Sequence, residues 1–174
     1  IVAADSVEQL KPEVGRLRDD QVTRLRPDDV TALTLGTGPD AVTLRRVDAQ
    51  WVGDGVLDRL DLSAVASLLQ TIADLRATEF IDEPADLASY GLMPPRAVLR
   101  VQRAAEAAPL TLLVGGQTSS GRFAFAQIEG QTTVFLIGSA AAEQLAVAPL
   151  DLRSRAILTL DAARVERVEL TRGP

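Results

Sequence analysis

The sequence predicts an α+β domain built on a mostly antiparallel sheet, with one long amphipathic helix and several short ones. Three observations carry this. Short runs of alternating apolar residues, separated by turns rich in Gly, Pro and Asp, lie on both sides of one helical stretch. That stretch, about residues 61–77, sets Leu62, Val65, Leu68, Leu69, Ile72 and Leu75 at three- and four-residue steps, which gives one apolar stripe. The chain also repeats itself. Glu8, Gln9, Leu10, Leu17, Arg18, Leu25, Val30, Leu35, Gly38 and Pro39 recur, without a gap, at Glu143, Gln144, Leu145, Leu152, Arg153, Leu160, Val165, Leu170, Gly173 and Pro174, an offset of 135 residues.

An offset of 135 is too long for a solenoid, whose units run about 20–50 residues, and is the size of a domain. The expected division is therefore residues 1–26 as the tail of a preceding unit, 27–160 as one complete unit, and 161–174 as the first strand of a following unit. The element order expected per unit is ββα-ββββ-αα.

The elements follow in order. Ile1-Val2 reads as the end of a strand. Residues 4–10 suggest a short helix with Asp5 or Ser6 as N-cap, stopped by Pro12. Residues 14–25 form a second short segment that recurs, with matching apolar positions, at 150–160. Arg26 to Asp29 is a turn. Residues 30–35 make a strand whose buried face is set by comparing the copies. Leu33 and Leu35 recur as Val168 and Leu170, whereas Ala32 and Thr34 become Arg167 and Glu169, which must face water. After a turn at 36–40, residues 41–47 form the second strand with Val42 and Leu44 inward, and Trp51-Val52 continues it after a turn at Asp48-Ala49.

Asp61 is the expected N-cap of the long helix. Phe80 and Ile81 then pack back on the core, and Asp82 to Ser89 is a polar loop. Tyr90-Gly91-Leu92-Met93-Pro94-Pro95 forms a rigid corner, because Gly91 permits positive φ and the two prolines fix an extended exit. Four strands follow, at about 97–102, 110–114, 123–128 and 132–137, joined by turns as in a meander. Residues 140–145 restart the repeated helical segment.

Composition excludes much chemistry. Apolar residues make up 47% of the chain, enough for a core, while aromatics are only 3%. The net charge of −6 argues against a nucleic-acid surface, which needs a basic stripe. With no His and no Cys, thiol nucleophiles, disulfides, nitrogen- and sulfur-ligated zinc and His-based acid–base work are all removed. No run of apolar residues reaches the roughly 18–20 needed for a membrane span.

The remaining motifs read as structural. Gly115 to Gly121 is glycine-rich, but a phosphate cradle needs a following helix and usually a Lys, so a hairpin loop is expected. Asp48, Asp54 and Asp58 fail the calcium-loop spacing, with Gln50 and Val52 where ligands should stand. Asp28-Asp29 becomes Ala163-Arg164 in the second copy, which excludes a shared carboxylate dyad. Tyr90 is expected to stack on the helix, with its hydroxyl bonded to a backbone carbonyl. No catalytic, cofactor-binding or metal-binding residue is assigned.

Three stretches together carry a family resemblance: Thr78-Glu79-Phe80-Ile81, the corner from Leu87 to Pro95 with Tyr90, Gly91, Leu92, Pro94 and Pro95 as its core, and the strands from Leu112 to Ile137. With Asp151-Leu152-Arg153 following, the chain resembles bacterial domain-of-unknown-function family 4340 over about residues 28–170. The resemblance implies tandem units, a membrane anchor in the full-length protein, an extracytoplasmic location, and genes beside gliding-motility-type ABC transporters. It implies no catalytic residues.

The reading that follows is a non-catalytic interaction or spacer domain of a membrane-anchored extracytoplasmic tandem-repeat protein, accessory to an ABC-type transporter. Its expected partners are other proteins or further copies of its own repeat. The overhanging ends are expected to meet each other or to build a homo-oligomer. The alternative is a carbohydrate- or small-ligand-binding module, with Trp51 and Tyr90 as the ligand-lining candidates.

Overall fold

Alternation of apolar and polar residues sends successive side chains to opposite faces of a strand, so each such run can join a sheet with one face buried. The computed structural model, which describes residues 19–53 and 59–155 together with Arg167, builds one eight-stranded antiparallel sheet from these runs. The strands are β1 (Val30–Leu35), β2 (Val42–Val47), β3 (Gln50–Gly53), β4 (Glu79–Ile81), β5 (Ala97–Arg103), β6 (Leu110–Gln117), β7 (Phe123–Ile128) and β8 (Val134–Gly138). Their order across the sheet is β3-β2-β1-β5-β6-β7-β8-β4. Two α-helices are present among the described residues, α1 (Leu62–Ala73) and α2 (Ser139–Leu145). The α+β class with an antiparallel sheet is therefore the observed one.

One face of the sheet is covered by the helices and holds the core. Leu33, Leu35, Leu44, Leu99, Val101, Leu112, Val114, Phe135 and Ile137 meet Val65, Leu68, Leu69 and Ile72 of α1 and Leu145 of α2. Each buried aliphatic side chain contributes about 1.5–3 kcal/mol relative to exposure. Leu33 and Leu35 are buried and Arg167 is exposed, as the two-copy comparison required. Val168, Glu169 and Leu170 lie outside the described residues, as do the expected helix at 4–10 and the first part of the segment at 14–25.

Among the described residues the order is βββα-βββββ-α where ββα-ββββ-αα was expected, with 3-10 turns at Pro27–Asp29, Gly38–Asp40 and Pro149–Leu152. Asp48 and Ala49 both take positive φ, 48° and 65°. That is the backbone of a tight two-residue hairpin, so the chain reverses and Trp51 pairs with Arg46 instead of extending β2. Phe80 pairs with Phe135 and makes β4 an edge strand, its ring 6.4 Å from its partner's. Of the last expected segment at 150–160, the described part holds the 3-10 turn at 149–152, which begins with Pro149, and residues 156–160 lie outside the described residues.

The long helix is also shorter than its apolar stripe. Asp61 caps it as expected, with Oδ1 accepting from the Ser63 and Ala64 N–H groups. The helix ends at Ala73, however, and Leu62 is 57% exposed. Leu75 is buried but lies beyond the end, where its carbonyl accepts the Val22 N–H at 3.0 Å. Competition from that pairing draws residues 75–77 out of the helix. Residues 19–25 are likewise not helical, and Gln21 forms an isolated bridge with Arg76.

Candidate functional site

The corner predicted at residues 90–95 is closed by its own hydrogen bonds and packed against a strand. Asp86 starts it: its carboxylate accepts the Ala88 N–H and its carbonyl accepts the Ser89 hydroxyl. The Leu92 N–H donates to the Leu87 carbonyl at 3.0 Å, closing the loop on itself. Gly91 takes φ +65°, as its expected role required. The Met93–Pro94 peptide is cis.

The corner docks backbone to backbone on β6. The Gly116 N–H donates to the Tyr90 carbonyl at 2.8 Å. A Cβ on Gly91 would stand 2.6 Å from the Gly116 nitrogen, and one on Gly115 would stand 2.4 Å from the Tyr90 oxygen. Gly115 and Gly116 therefore belong to β6, at an irregularity in its pairing with β7 between Val114 and Gln117, and not to a hairpin loop. The turn proper is Thr118 to Arg122, closed by Thr118 N–H to the Phe123 carbonyl and Gly121 N–H to the Thr118 carbonyl.

Tyr90 packs on the sheet, not on the helix. Its ring lies 4.8 Å from that of Phe125 at 58°. Phe125 alternates with Ala124 and Ala126, which are part of the helix-covered core, so Tyr90 covers the opposite face. Leu92 is 3% exposed beside it, whereas Met93 is 65% exposed. Below the prolines, Arg96 makes a two-pronged pair with Glu143 of α2 at 2.8 and 2.7 Å, and Gln117 donates to the same carboxylate at 3.1 Å. The Arg96 guanidinium holds the Glu143 carboxyl below its ordinary value and is itself raised by it. Corner, β6 and α2 are thus tied at one end of the sheet.

Trp51 stands elsewhere. It lies on β3 and is half-buried against the helix-covered core. Four strands separate β3 from β7, about 24 Å at the usual strand spacing, and Tyr90 is on the other face. The structure does not bring Trp51 and Tyr90 together. Among the described residues an open groove lies between α1 and α2, lined by Ser67, Gln70, Thr71, Asp74 and Gln144. Among the described residues no three acidic side chains gather as a metal site. Among them, too, no helix is long and apolar enough to cross a membrane.

Sequence reasoning missed Glu143, Arg96, Gln117 and Phe125. For Glu143 a signal existed, because Glu8 and Glu143 are the same residue in the two copies. The family described as Domain of unknown function (DUF4340) matches residues 57–174, a span that contains the corner, β6 and α2. The chain belongs to the DUF4340 family. No curated protein and no solved structure matches the chain. The DUF4340 match begins after β3, yet β1 is hydrogen-bonded to β5 along Leu35–Leu99 and Leu33–Val101, so one sheet runs through the matched and unmatched parts.

Proposed function

We propose that this DUF4340 chain is a non-catalytic interaction or spacer unit of a tandem-repeat protein, anchored to a membrane, exposed outside the cytoplasm and accessory to an ABC-type transporter. The units are residues 27–160 and its neighbours at a period of 135. The observation that carries the reading is the recurrence of residues 8–39 at 143–174, which makes the chain's own repeat its nearest candidate partner. The corner adds support of a second kind. Its backbone is fixed against β6 with no space for a Cβ at Gly91 or Gly115, as suits a rigid spacer more than a moving catalytic loop. The anchor, the location and the transporter rest on the family resemblance alone. The ligand-module alternative draws no support from the separation of Trp51 and Tyr90.

The test is capture of the full-length protein from detergent-solubilised membranes, followed by mass spectrometry of what comes with it. The expected result is recovery from the membrane fraction with subunits of an ABC-type transporter. Recovery from the cytoplasmic fraction, free of such subunits, contradicts the proposal.

A further inference from the structure

The repeated segment touches α1 twice, once through each copy. From the first copy, residues 19–25 run along the C-terminal end of α1. The Val22 N–H donates to the Leu75 carbonyl at 3.0 Å and the Ala77 N–H donates to the Asp20 carbonyl at 2.7 Å, so that Gln21 and Arg76 form an antiparallel bridge. The Thr23 hydroxyl, buried at 2% exposure, donates to the Ile72 carbonyl at 2.6 Å. That carbonyl is one of the last four of the helix, which have no partner within it. Asp20 pairs with Arg76, and Leu25 enters the core.

From the second copy, residues 152–154 hold the other end. The Asp61 N–H donates to the Leu152 carbonyl and the Ser154 N–H donates to the Arg59 carbonyl, both at 2.8 Å, with Leu60 and Arg153 bridged between them. In the repeat, Leu152 and Arg153 are Leu17 and Arg18, and Val22 and Leu25 are Ile157 and Leu160.

One copy cannot occupy both places on one helix. Ser154 to Ile157 is three residues, which span at most about 11 Å. The helix between the two attachment points is 12 residues long and rises about 18 Å by itself. We propose that the repeated segment is an inter-unit strap. Its first half closes the N-terminal end of α1 in its own unit, and its second half pairs with residues 72–77 of the following unit. Residues 19–25 are then the strap that the preceding unit donates to this one. The partner is a second copy of the same unit, and the inference rests on the tandem-unit reading above. The second copy keeps the apolar positions, with Ile157 for Val22 and Leu160 for Leu25. It replaces Thr23 by Leu158 and Asp20 by Arg155, which would face Arg76 with like charge.

The absence of cysteine in the chain makes a cross-linking test direct. Gln21→Cys with Arg76→Cys places two thiols at a bridged pair, where a disulfide fits. Under a mild oxidant this variant should link within the chain and migrate as a monomer. Ala156 is the counterpart of Gln21. Ala156→Cys with Arg76→Cys, in a chain whose own strap is loosened by Val22→Pro, should link between chains and give dimers and higher multimers. Thr23→Val replaces Val22→Pro if the proline variant does not fold. Links formed within the chain by the Ala156→Cys pair would overturn the reach argument. No link from that pair, while the Gln21→Cys pair closes, would overturn the strap. Either failure leaves the spacer reading standing with a different junction, and failure of the membrane capture leaves the strap untouched.

Discussion

At the scale of single residues, the corner depends on glycine for contact as much as for φ. Gly91→Val should cost more than about 2 kcal/mol, because it adds a positive-φ strain to a Cβ 2.6 Å from the Gly116 nitrogen. Gly115→Ala should be comparably damaging, whereas Gly138→Ala, with nothing within 4 Å of its Cβ, should be near neutral. Chemical denaturation of the three variants checks the ranking, and equal costs at Gly115 and Gly138 would contradict it. The pairing of Glu143 with Arg96 has a pH signature. The folded carboxyl is held below its ordinary value of 4.5, so its contribution is present above that pH and is lost as pH falls through the depressed value. Thermal melts should show Glu143→Gln less stable than the parent at neutral pH, with the difference shrinking toward pH 3.

At the scale of elements, caps and ends decide more than stripes do. Asp61→Ala should lower the melting temperature by freeing the Ser63 and Ala64 N–H groups at the start of α1, and Asp61→Ser should restore most of it. Leu25→Ala should cost about 2–5 kcal/mol as a large-to-small change at a buried position, if residues 19–25 dock as described. A cost near zero in calorimetry would mean the strap is undocked in solution. Much of the element order was legible because alternation over six or so residues has only one sheet register that buries it, as at Leu33 and Leu35. Strands β3 and β4 were not, since four- and three-residue strands carry almost no period. A turn at Asp48-Ala49 was legible, but that it reverses the chain into a hairpin was not, because it lacks the Gly that usually marks one. Leu75 misled because a buried apolar residue at helical spacing need not be helical. Its backbone is paired with Val22, far away in sequence. Gly115 and Gly116 misled for a related reason: glycine marks close approach of a second backbone as readily as a turn.

At the scale of the whole molecule, the repeat and the sheet say different things about where a unit begins. The expected boundary at residue 27 falls just before β1, which sits in the sheet between β2 and β5. Residues 19–25 nevertheless pack on α1 of the same body, across that boundary. The separation of Trp51 from Tyr90 was beyond sequence reasoning, because strand order β3-β2-β1-β5-β6-β7 and the face of each residue had to be known together. In the proposed array, a strap shared between units would reconcile the two boundaries and turn the period of 135 into a mechanical property. Units joined as proposed would not swivel freely, since backbone hydrogen bonds would cross each junction. The most direct measurement is small-angle X-ray scattering on a stretch of the natural protein that covers two periods. The expected profile is that of one rigid, elongated body whose longest dimension holds constant when salt is raised. A profile that fits only as two independently tumbling bodies would contradict the account.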